Sequence, residues 1–344
     1  MKKKLGLCLF VVWLLSACST VEYIGIETFN PAEVTFPRNV KKVLIVNNAL
    51  PQPDSLGYIY KLYGVIQDTA RIDADSALFD ACHSLGKTIA EESFFKDVLL
   101  FHEGTRLDTR YMDDNKLTGA NVNRLCRETG TDAIISFDRL LFKVDKNVFS
   151  LSGGYVAGEV QVHVEGVMRS YLPGRENPLA TIYVGDSLFW SEGAENMTLL
   201  AQYLPTANEA IRAAADYIGN KLAPNFIPHW DKETRWIYKS EGARWKEATA
   251  YAMSDNWEQA ATRWQMIYDT SSKWKEQARA ASNLALYHEM RTELEEAYDW
   301  ALKSYTFFKE HVGEDESQTG MQQLYVDALR KRIQSNLKLN TQFE

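Results

Sequence analysis

The stretch GTDAIISFDRLLFKV, residues 130–144, decides the class of the first domain. Its branched and aromatic residues follow an extended pattern, which predicts a strand. Two shorter runs precede it along the chain, KKVLIVNN at 41–48 and DVLLFH at 97–102, and both have the composition of strands. Three strands are therefore expected in the first half of the chain.

Helices are predicted between these strands. From Asp75 to Phe94, and again over residues 122–129, apolar residues repeat at the spacing of an amphipathic helix. The repeating residues are Leu78, Cys82, Leu85 and Ile89 in the first segment, and Val122, Leu125 and Cys126 in the second. The resulting order of strand, helix, strand, helix and strand is typical of an α/β domain.

The periodicity changes after residue 144. In GEVQVHVEGVMRSYLPG, residues 158–174, valines alternate with polar residues, which predicts a strand with one solvated face. LATIYVGDSLFW, residues 179–190, has the same pattern, and a Pro-Gly pair between the two runs predicts a hairpin-type connection. A helix over about residues 205–222 closes the unit. We therefore predict an α+β domain with a mixed sheet at residues 40–225.

This order of elements, with the DAIISFDRL strand and two long antiparallel strands after it, resembles the periplasmic domains of the CsgG and LpoB lipoprotein families. The resemblance covers residues 40–225 and implies a CsgG/LpoB-like fold. CsgG also carries long amphipathic segments that form a secretion barrel. The present sequence has no equivalent lipid-facing alternation, so the resemblance does not imply channel activity.

The amino-terminal segment has the composition of an export signal. Lysines at positions 2–4 precede an apolar run to Ala17, which is too short to span a bilayer because about 20 apolar helical residues are needed. The sequence LSAC at 15–18 resembles the lipobox of bacterial lipoproteins. That resemblance implies a lipoprotein-type signal peptide at residues 1–17 and an acylated Cys18 as membrane anchor. The alternative is an ordinary cleaved signal with an incidental cysteine.

Residues 19–37 contain two prolines and scattered apolar residues, which indicates a tether or an edge segment, and we assign residues 18–39 as a lipid-anchored tether. The lipoprotein resemblance implies delivery to the outer membrane, because Ser19 stands where inner-membrane retention signals have Asp. Residues 19–23 also lack the acidic cluster that directs some lipoproteins to the cell surface. We expect a lipid-anchored outer-membrane protein that faces the periplasm.

Two prolines in LAPNFIPHW, residues 222–230, mark a domain boundary, and the sequence beyond them is helical in pattern and rich in tryptophan. An internal repeat occurs there at an offset of 37 residues. The matched pairs are Ala243 with Ala280, Ala248 with Ala285, Glu258 with Glu295, Ala260 with Ala297, and Tyr268 with Tyr305. Repeats of this length indicate stacked helical hairpins.

The segments DNWEQAATRWQMIY and TELEEAYDWALKSY resemble the second helices of tetratricopeptide repeats. The resemblance implies an all-α, tetratricopeptide-like domain at residues 230–344. Ile267 stands where the motif has a small residue, the closing proline is missing, and the spacing exceeds the usual value of about 34. A final helix from about Ser317, with Leu324 and Leu337 in its apolar stripe, is expected to cap the stack.

Composition excludes several classes of function. With 45% hydrophobic and 24% charged residues, 344 residues suffice for two or three globular domains. The formal charge of −8, which loss of the three signal lysines would take to −11, argues against a nucleic-acid partner. The sequence has no phosphate-binding glycine loop, G-x-S-x-G or H-E-x-x-H motif, and its six histidines do not cluster. We predict neither a metal site nor a cofactor, and we do not expect an enzyme.

Acidic pairs and tryptophans are the remaining candidates for sites. The acid pairs Asp113 with Asp114 and Asp73 with Asp75 lie in polar connections, where solvated charge is the default. Most tryptophans of the helical region are expected in the core. Trp236 and Trp274 have charged neighbours, so we expect these two to be exposed for partner binding.

The cysteines leave two interpretations open. Cys82 and Cys126 are the thiols that remain once Cys18 is modified, and export to an oxidising compartment allows a disulfide between them. The alternative, which we favour, is two separate buried thiols that act as small apolar side chains.

Two functions remain open. The first is a non-enzymatic scaffold or assembly factor that is lipid-anchored at the outer membrane and recruits an envelope protein through its helical repeats. The second is an enzyme or binding protein that acts on envelope carbohydrate or peptidoglycan with a cleft between the two domains. The missing catalytic motifs favour the first. The P-x-W boundary at Pro228 and Trp230 also resembles two-domain lipoproteins of Gram-negative anaerobes, a likeness that implies no particular activity.

Overall fold

A computed structural model of the chain describes residues 20–67 and 71–343 and divides the chain into two compact units. The α/β unit comprises Ala32–His229 with the last residues from Gln342. The helical unit comprises Trp230–Thr341 with the described residues up to Pro31. In these two described stretches, no helix has the length and apolar character that crossing a bilayer requires.

The described residues from Val21 to Tyr238 form nine strands with four α-helices among them. The strands, in chain order, are β1 (Val21–Asn30), β2 (Lys42–Asn47), β3 (Tyr58–Leu62), β4 (Val65–Ile66), β5 (Asp97–Leu100), β6 (Ala133–Ser150), β7 (Val156–Tyr171), β8 (Ala180–Ala194) and β9 (His229–Tyr238). The helices among them are α1 (Ala74–Glu91), α2 (Gly119–Thr129), α3 (Met197–Tyr203) and α4 (Ala207–Leu222). Side chains of Asp73, Thr118, Asn196 and Thr206 cap the amino termini of these helices.

β6 organises the seven-stranded mixed sheet of the α/β unit. Along one edge it pairs in parallel with β2 through its first residues and with β3 through its later residues, and β5 extends the sheet beyond β2. Along its other edge it pairs antiparallel with β7, which pairs antiparallel with β8. The prediction of an α/β domain with a mixed sheet is therefore confirmed. The short β3–β4 hairpin is an addition that the sequence patterns did not reveal.

The sheet has an apolar core on each face, because successive residues of a strand point to opposite sides. Val43 and Ile45 of β2 belong to the larger core, to which α1 and α4 contribute. Leu44 and Val46 belong to the smaller core beneath α2. The continuous apolar run of β2 thus reflects burial on both faces.

The expected tether at residues 18–39 is wrong for residues 21–30, which form β1 and pair with β9. Ile26 of β1 is buried in the apolar core of the helical unit. β9 likewise occupies the start of a region expected to be entirely helical. Both errors have one cause, since each strand is stabilised by a partner about two hundred residues away and not by its local sequence.

The chain beyond β9 is helical, which confirms the coarse prediction for the carboxy-terminal region. Its helices are α5 (Ala243–Met253), α6 (Trp257–Thr270), α7 (Trp274–Met290), α8 (Leu294–Val312) and α9 (Ser317–Phe343). The first four form two helical hairpins, and α6 and α8 begin 37 residues apart. The structure therefore has the same offset as the sequence repeat.

The turns inside the two hairpins are equivalent in backbone conformation. Each has a residue with left-handed backbone at the same place, with φ of 61° at Asp255 and 63° at Thr292. The next amide closes each turn on the carbonyl five residues earlier: Asn256 donates to Tyr251 at 2.9 Å and Glu293 to His288 at 3.0 Å. The alanines of the repeat at positions 248, 260, 285 and 297 are fully buried. Small side chains at these positions let the helices approach closely.

α9 covers the end of the helical stack with a different face from the expected one. Tyr325, Val326 and Leu329 are buried with alanines of α7 and α8. Leu324 and Leu337, which we expected in the buried stripe, are exposed. The expected apolar stripe of α9 is therefore about one residue out of register. It was inferred from leucines, whereas Tyr325 occupies the buried face.

Candidate functional site

The most buried carboxylate of the α/β unit is Asp138, at a bulge of β6. It accepts hydrogen bonds from Asn48 Nδ2 at 2.9 Å, Ser136 Oγ at 2.6 Å, Arg169 Nη1 at 2.7 Å and Tyr171 Oη at 2.6 Å. Both carboxylate oxygens are therefore occupied by partners from the sheet. A carboxylate that is held in this way is a structural anchor and has no free position for a ligand.

The same network fixes the long connection between β5 and α2. Arg169 Nη2 contacts Asp114 Oδ2 at 2.7 Å, and Tyr171 Oη accepts the amide of Leu117 at 3.2 Å. Burial acts to raise the pKa of Asp114, but the hydrogen bond and charge of Arg169 outweigh burial, so the pKa is lowered. Asp114 thus forms an ion pair while it stays partly exposed, and Asp73 caps α1.

Cys82 and Cys126 are free thiols, so the disulfide interpretation is corrected. Cys82 of α1 lies in the larger core of the sheet, whereas Cys126 of α2 lies in the core on the other face. The sheet separates the two sulfur atoms. Burial raises the pKa of both thiols, which keeps them protonated and chemically inert.

Histidine and acidic side chains do not assemble into a metal centre in the parts of the chain that the structure describes. The HEM fragment at His288 illustrates why a motif fragment misleads. His288 Nδ1 contacts Glu293 Oε2 at 2.7 Å within one turn, while the adjacent Glu289 is completely buried. Both side chains are thus held by protein partners, Glu289 by Arg235 and Arg332.

The helical unit contains a cavity of about 700 Å³ beside the carboxy-terminal end of β9. Residues from four segments line it, namely Thr20 before β1, the segment after β9, α5 and α7. Its polar side chains include Lys239, Ser240, Glu241, Lys246, Thr249 and Arg279. We call this space the basic cavity, because its cations outnumber its acids in a chain of net charge −8.

Arg279 is the distinctive residue of the basic cavity. Its side chain is half-buried, and its guanidinium lies over the ring of Tyr238 at 5.5 Å from the centroid. Its buried Nε has no hydrogen-bond acceptor, and the guanidinium forms no ion pair within residues 20–67 and 71–343. Burial lowers the pKa of this group. A desolvated cation with open donor positions is a recognition element for an anion.

The neighbouring charges divide into paired and open ones. Lys239 Nζ is 2.6 Å from Glu22 Oε2 of β1, so its charge is already compensated. Lys246 is exposed on α5 and has no carboxylate within ion-pair distance in the described part of the helical unit. Glu241, the acid of the lining, is exposed. The open positive charges are therefore those of Lys246 and Arg279.

The lining offers several hydrogen-bond donors to an anionic group. A guanidinium offers two parallel donors to a carboxylate or phosphate, and the hydroxyls of Ser240 and Thr249 add neutral hydrogen bonds. Within the described residues, the lining contains neither histidine nor cysteine. The basic cavity suits an acidic group presented on a short segment.

Trp236 and Trp274 are not exposed, which corrects that expectation. The ring of Trp236 packs 5.5 Å from that of Tyr325, and Trp274 stacks on His311 at 4.6 Å. Both tryptophans are half-buried in the cores of the helical unit. The exposed tryptophan of this unit is Trp230. Charged sequence neighbours misled the prediction, because a helix or strand places charges and core residues side by side in sequence.

Sequence reasoning missed Arg279. It lies in EQARAASN, residues 276–283, where Ala278, Ala280 and Ala281 are completely buried. A single cation among buried alanines is the signal that could have indicated it. Cys18, the expected lipid-attachment residue, lies outside the residues that the structure describes.

Comparison with known protein families gives two matches. The sequence model of a family described as a domain of unknown function (DUF8603) matches residues 40–238. A second, also described as a domain of unknown function (DUF6340), matches residues 246–331. No curated protein was found to match the chain. The first match ends with β9 and the second covers most of α5–α9, so the basic cavity has lining residues in and just outside the second.

Proposed function

The chain belongs, over residues 40–238, to the family of DUF8603 domains of unknown function, and from this premise we propose that it is a non-enzymatic scaffold whose helical unit captures a protein partner through an acidic group. The observation that carries the proposal is Arg279, a half-buried guanidinium without a carboxylate partner within the described residues of the basic cavity. Net favourable binding requires a partner that supplies the missing acceptor.

The helical hairpins support the choice of a protein partner. We infer that they are tetratricopeptide-like repeats, because two hairpins with equivalent turns follow one another at an offset of 37 residues. Stacked hairpins present continuous surfaces that accept helices or extended peptides. A carboxylate, from a side chain or a chain terminus of the partner, is the group that matches Arg279 and Lys246. No cofactor or nucleic acid is part of this proposal.

The place of action is the outer membrane, on its periplasmic face, with Cys18 as the acylated anchor residue. Support for this location comes from the basic start, the short apolar run and the LSAC sequence. The Cys18→Ala chain is expected to leave the membrane fraction and to lose labelled fatty acid. Retention of both by that variant would contradict the anchor.

Photo-crosslinking in the native host tests the scaffold function. A photoreactive residue in place of Thr249, which is half-buried in the basic cavity, is expected to crosslink to one protein partner. Arg279→Gln is expected to reduce the crosslinked product about tenfold or more, and Arg279→Lys by less, because it keeps the charge but loses the bidentate geometry.

Arg263→Gln is the matched control. Arg263 also lies over a tyrosine ring, at 5.8 Å from the centroid of Tyr251, but it is already paired with Glu247 at 3.0 Å. We expect this variant to crosslink as the unmodified chain does. Equal loss in both variants, or no loss with Arg279→Gln, would contradict the proposal. A crosslinked glycan in place of a protein would favour the carbohydrate- or peptidoglycan-directed alternative.

A further inference from the structure

Two hairpins of the α/β unit end side by side. The first joins β3 to β4 through Tyr63 and Gly64, and the second joins β6 to β7 through residues 151–155. Leu62 lies opposite Val148 in the parallel pairing of β3 with β6, and the amide of Tyr63 donates to Val148 at 2.8 Å. Both turns are therefore at the same end of the sheet.

These turns expose large apolar and aromatic side chains. Their exposed fractions range from 36% to 65%, although side chains of these types are normally buried. The residues, which we call the hairpin-tip patch, are Tyr63, Val65, Ile66, Phe149, Leu151 and Tyr155. Six such side chains lie in or beside two adjacent turns at one end of the sheet and are therefore not isolated exceptions.

The patch carries no charge of its own. The sequence has no charged residue from Leu62 to Gln67 or from Asn147 to Gly158. The charges around it are mixed, with Lys61 opposite Ile66, and with Glu159 and Glu192 opposite Asn147 and Gly158 in the strand pairings. Asp68 follows Gln67 in the sequence. In a chain of net charge −8, the hairpin-tip patch is thus a surface that can approach an anionic bilayer without electrostatic repulsion of its own.

The turn between β3 and β4 contains a backbone conformation that is unfavourable for its first residue, Tyr63. Tyr63 has φ of 50° and Gly64 has φ of 81°, as in a two-residue turn in which Asn and Gly are preferred. A bulky aromatic residue with left-handed backbone is strained, and here its ring is exposed. Strain that yields no buried side chain points to a use outside the fold.

We propose that the hairpin-tip patch inserts into the interfacial layer of a phospholipid bilayer. Aliphatic side chains with flanking tyrosines and serines, without charge, have the composition of interface-binding surfaces, in which the ring is apolar and the hydroxyl stays hydrated. The turns project from the strand ends, so they can enter a headgroup layer. The proposal takes the encounter with a bilayer from the proposed lipid anchor, but the insertion depends only on the patch.

A fluorescent label tests insertion in the full, acylated chain. Leu151→Cys is labelled with an environment-sensitive dye, and native Cys82 and Cys126 are buried and inert to the reagent. In vesicles of phosphatidylethanolamine and phosphatidylglycerol, the emission should shift to the blue and be quenched by lipids brominated near the headgroup. Leu107→Cys, at a position that is 99% exposed in the same unit, is the control and should stay in water. Identical, water-like emission from both labels would overturn the proposal.

Flotation of the chain without acyl groups measures the affinity of the patch itself. Ile66→Asp is expected to weaken binding to the same vesicles about tenfold, because it removes an inserted apolar side chain and adds a charge. Leu324→Asp, at an exposed position of α9, should leave binding unchanged. Both sites are exposed, and thermal unfolding checks that the fold is retained.

Other occupants are distinguished by sedimentation. If the chain forms a dimer that Ile66→Asp dissociates, and the Leu151 label does not enter lipid, the patch is a contact between copies and the proposal is wrong. Crosslinking from position 249 reports on the scaffold function alone, and the Leu151 label reports on membrane insertion alone. Failure of one proposal can therefore be distinguished from failure of the other.

Discussion

Glu289 shows at the scale of one residue how a charge is held inside the helical unit. Its side chain is completely buried, and both of its oxygens accept hydrogen bonds from Arg235 at 2.9 Å. Arg332 Nη1 at 2.6 Å and Tyr325 Oη at 2.8 Å complete its surroundings. The carboxylate therefore connects β9, α7 and α9. The glutamate of a fragment that resembles part of a zinc motif is a structural anchor.

Glu289→Gln is expected to destabilise the helical unit by about 3–5 kcal/mol, because it leaves two guanidinium groups near a neutral side chain in a buried place. Urea unfolding, followed by tryptophan fluorescence, measures the change. Glu258→Gln is the control, since Glu258 is highly exposed and its contact with Arg291 is 3.7 Å. That variant should change the free energy of unfolding by less than about 0.5 kcal/mol. Similar effects of the two substitutions would contradict the role of Glu289.

The pH dependence follows from the direction of the Glu289 pKa. Burial acts to raise this pKa, but the hydrogen bonds and charges of Arg235 and Arg332 outweigh burial, so the pKa is lowered. A carboxyl with a lowered pKa contributes its full stabilisation above its unfolded pKa of about 4.3 and loses it as the pH falls through the folded value. We expect acid to reduce the stability difference between the unmodified chain and Glu289→Gln.

At this scale, the sequence could not reveal that the Arg279 side chain is half-buried without a carboxylate partner among the described residues. Arg279 and Arg263 are both arginines of amphipathic helices, yet only Arg263 has a carboxylate beside it within the described residues. The difference arises from which helix face meets β9 and Tyr238, and this depends on tertiary packing. The strongly patterned positions were predictable, as the apolar stripes of α1 and α2 illustrate, because period alone fixes their burial.

At the scale of elements, α1 and α4 approach each other closely at a glycine. A Cβ atom at Gly219 of α4 would lie 2.5 Å from the carbonyl oxygen of Ala81 and 2.9 Å from the amide nitrogen of Leu85. Both atoms belong to the backbone of α1, so neither can move aside as a side chain could. Gly219 thus sets the distance between the two helices over the larger core.

Gly219→Ala is expected to destabilise the α/β unit by about 1–3 kcal/mol, because the added methyl group forces the helices apart. Gly320→Ala in α9 is the matched control, since a Cβ there would meet nothing within 4 Å. That change should stabilise the helical unit by about 0.4–1 kcal/mol through the lower entropy of the unfolded chain. Thermal and urea unfolding measure both. A neutral Gly219→Ala would show that the helices have room to adjust.

Elements differed in how well local sequence predicted them. β6, β7 and β8 were predictable because each has fifteen residues or more, with a branched and aromatic run in β6 and polar–apolar alternation within β7 and β8. β3 and β4 have five and two residues, which is too short for a period to be recognised. The register of α9 was misjudged because tyrosine and glutamine, and not leucine, fill part of its buried face.

At the scale of the whole molecule, the helical unit is discontinuous in sequence. The helical unit takes its first strand from before the α/β unit and the rest from after it. β1 and β9 run antiparallel, since Lys239 donates its amide to Thr20 at 2.8 Å while Asn30 Nδ2 is 3.0 Å from Asp231. Sequence composition reveals the domain boundary near residue 230. It does not reveal that β1 belongs to the helical unit, whose other residues begin at Trp230.

This arrangement changes how truncations should be interpreted. A chain that ends near Asn225 would lose β9 and leave β1 without a partner. If such a truncation lost partner capture, the cause could be either the missing helices or the unpaired β1 strand. Point substitutions in the basic cavity, such as Arg279→Gln, leave β1 paired and are the cleaner test.

The dependence of the helical unit on β1 can be measured with the fragment 230–343. Without β1 this fragment lacks the buried Ile26 and the partly buried Val21 and Ile24, which pack against its core. It also lacks the Glu22 partner of Lys239. We expect it to be less stable than the helical unit of the full chain by at least about 3 kcal/mol.

Addition of a peptide of residues 20–31 to this fragment should restore helicity and tryptophan emission. The same peptide with Ile26→Asp should not, because a charge would enter the core. A fragment as stable as the full chain, indifferent to either peptide, would show that β1 is dispensable.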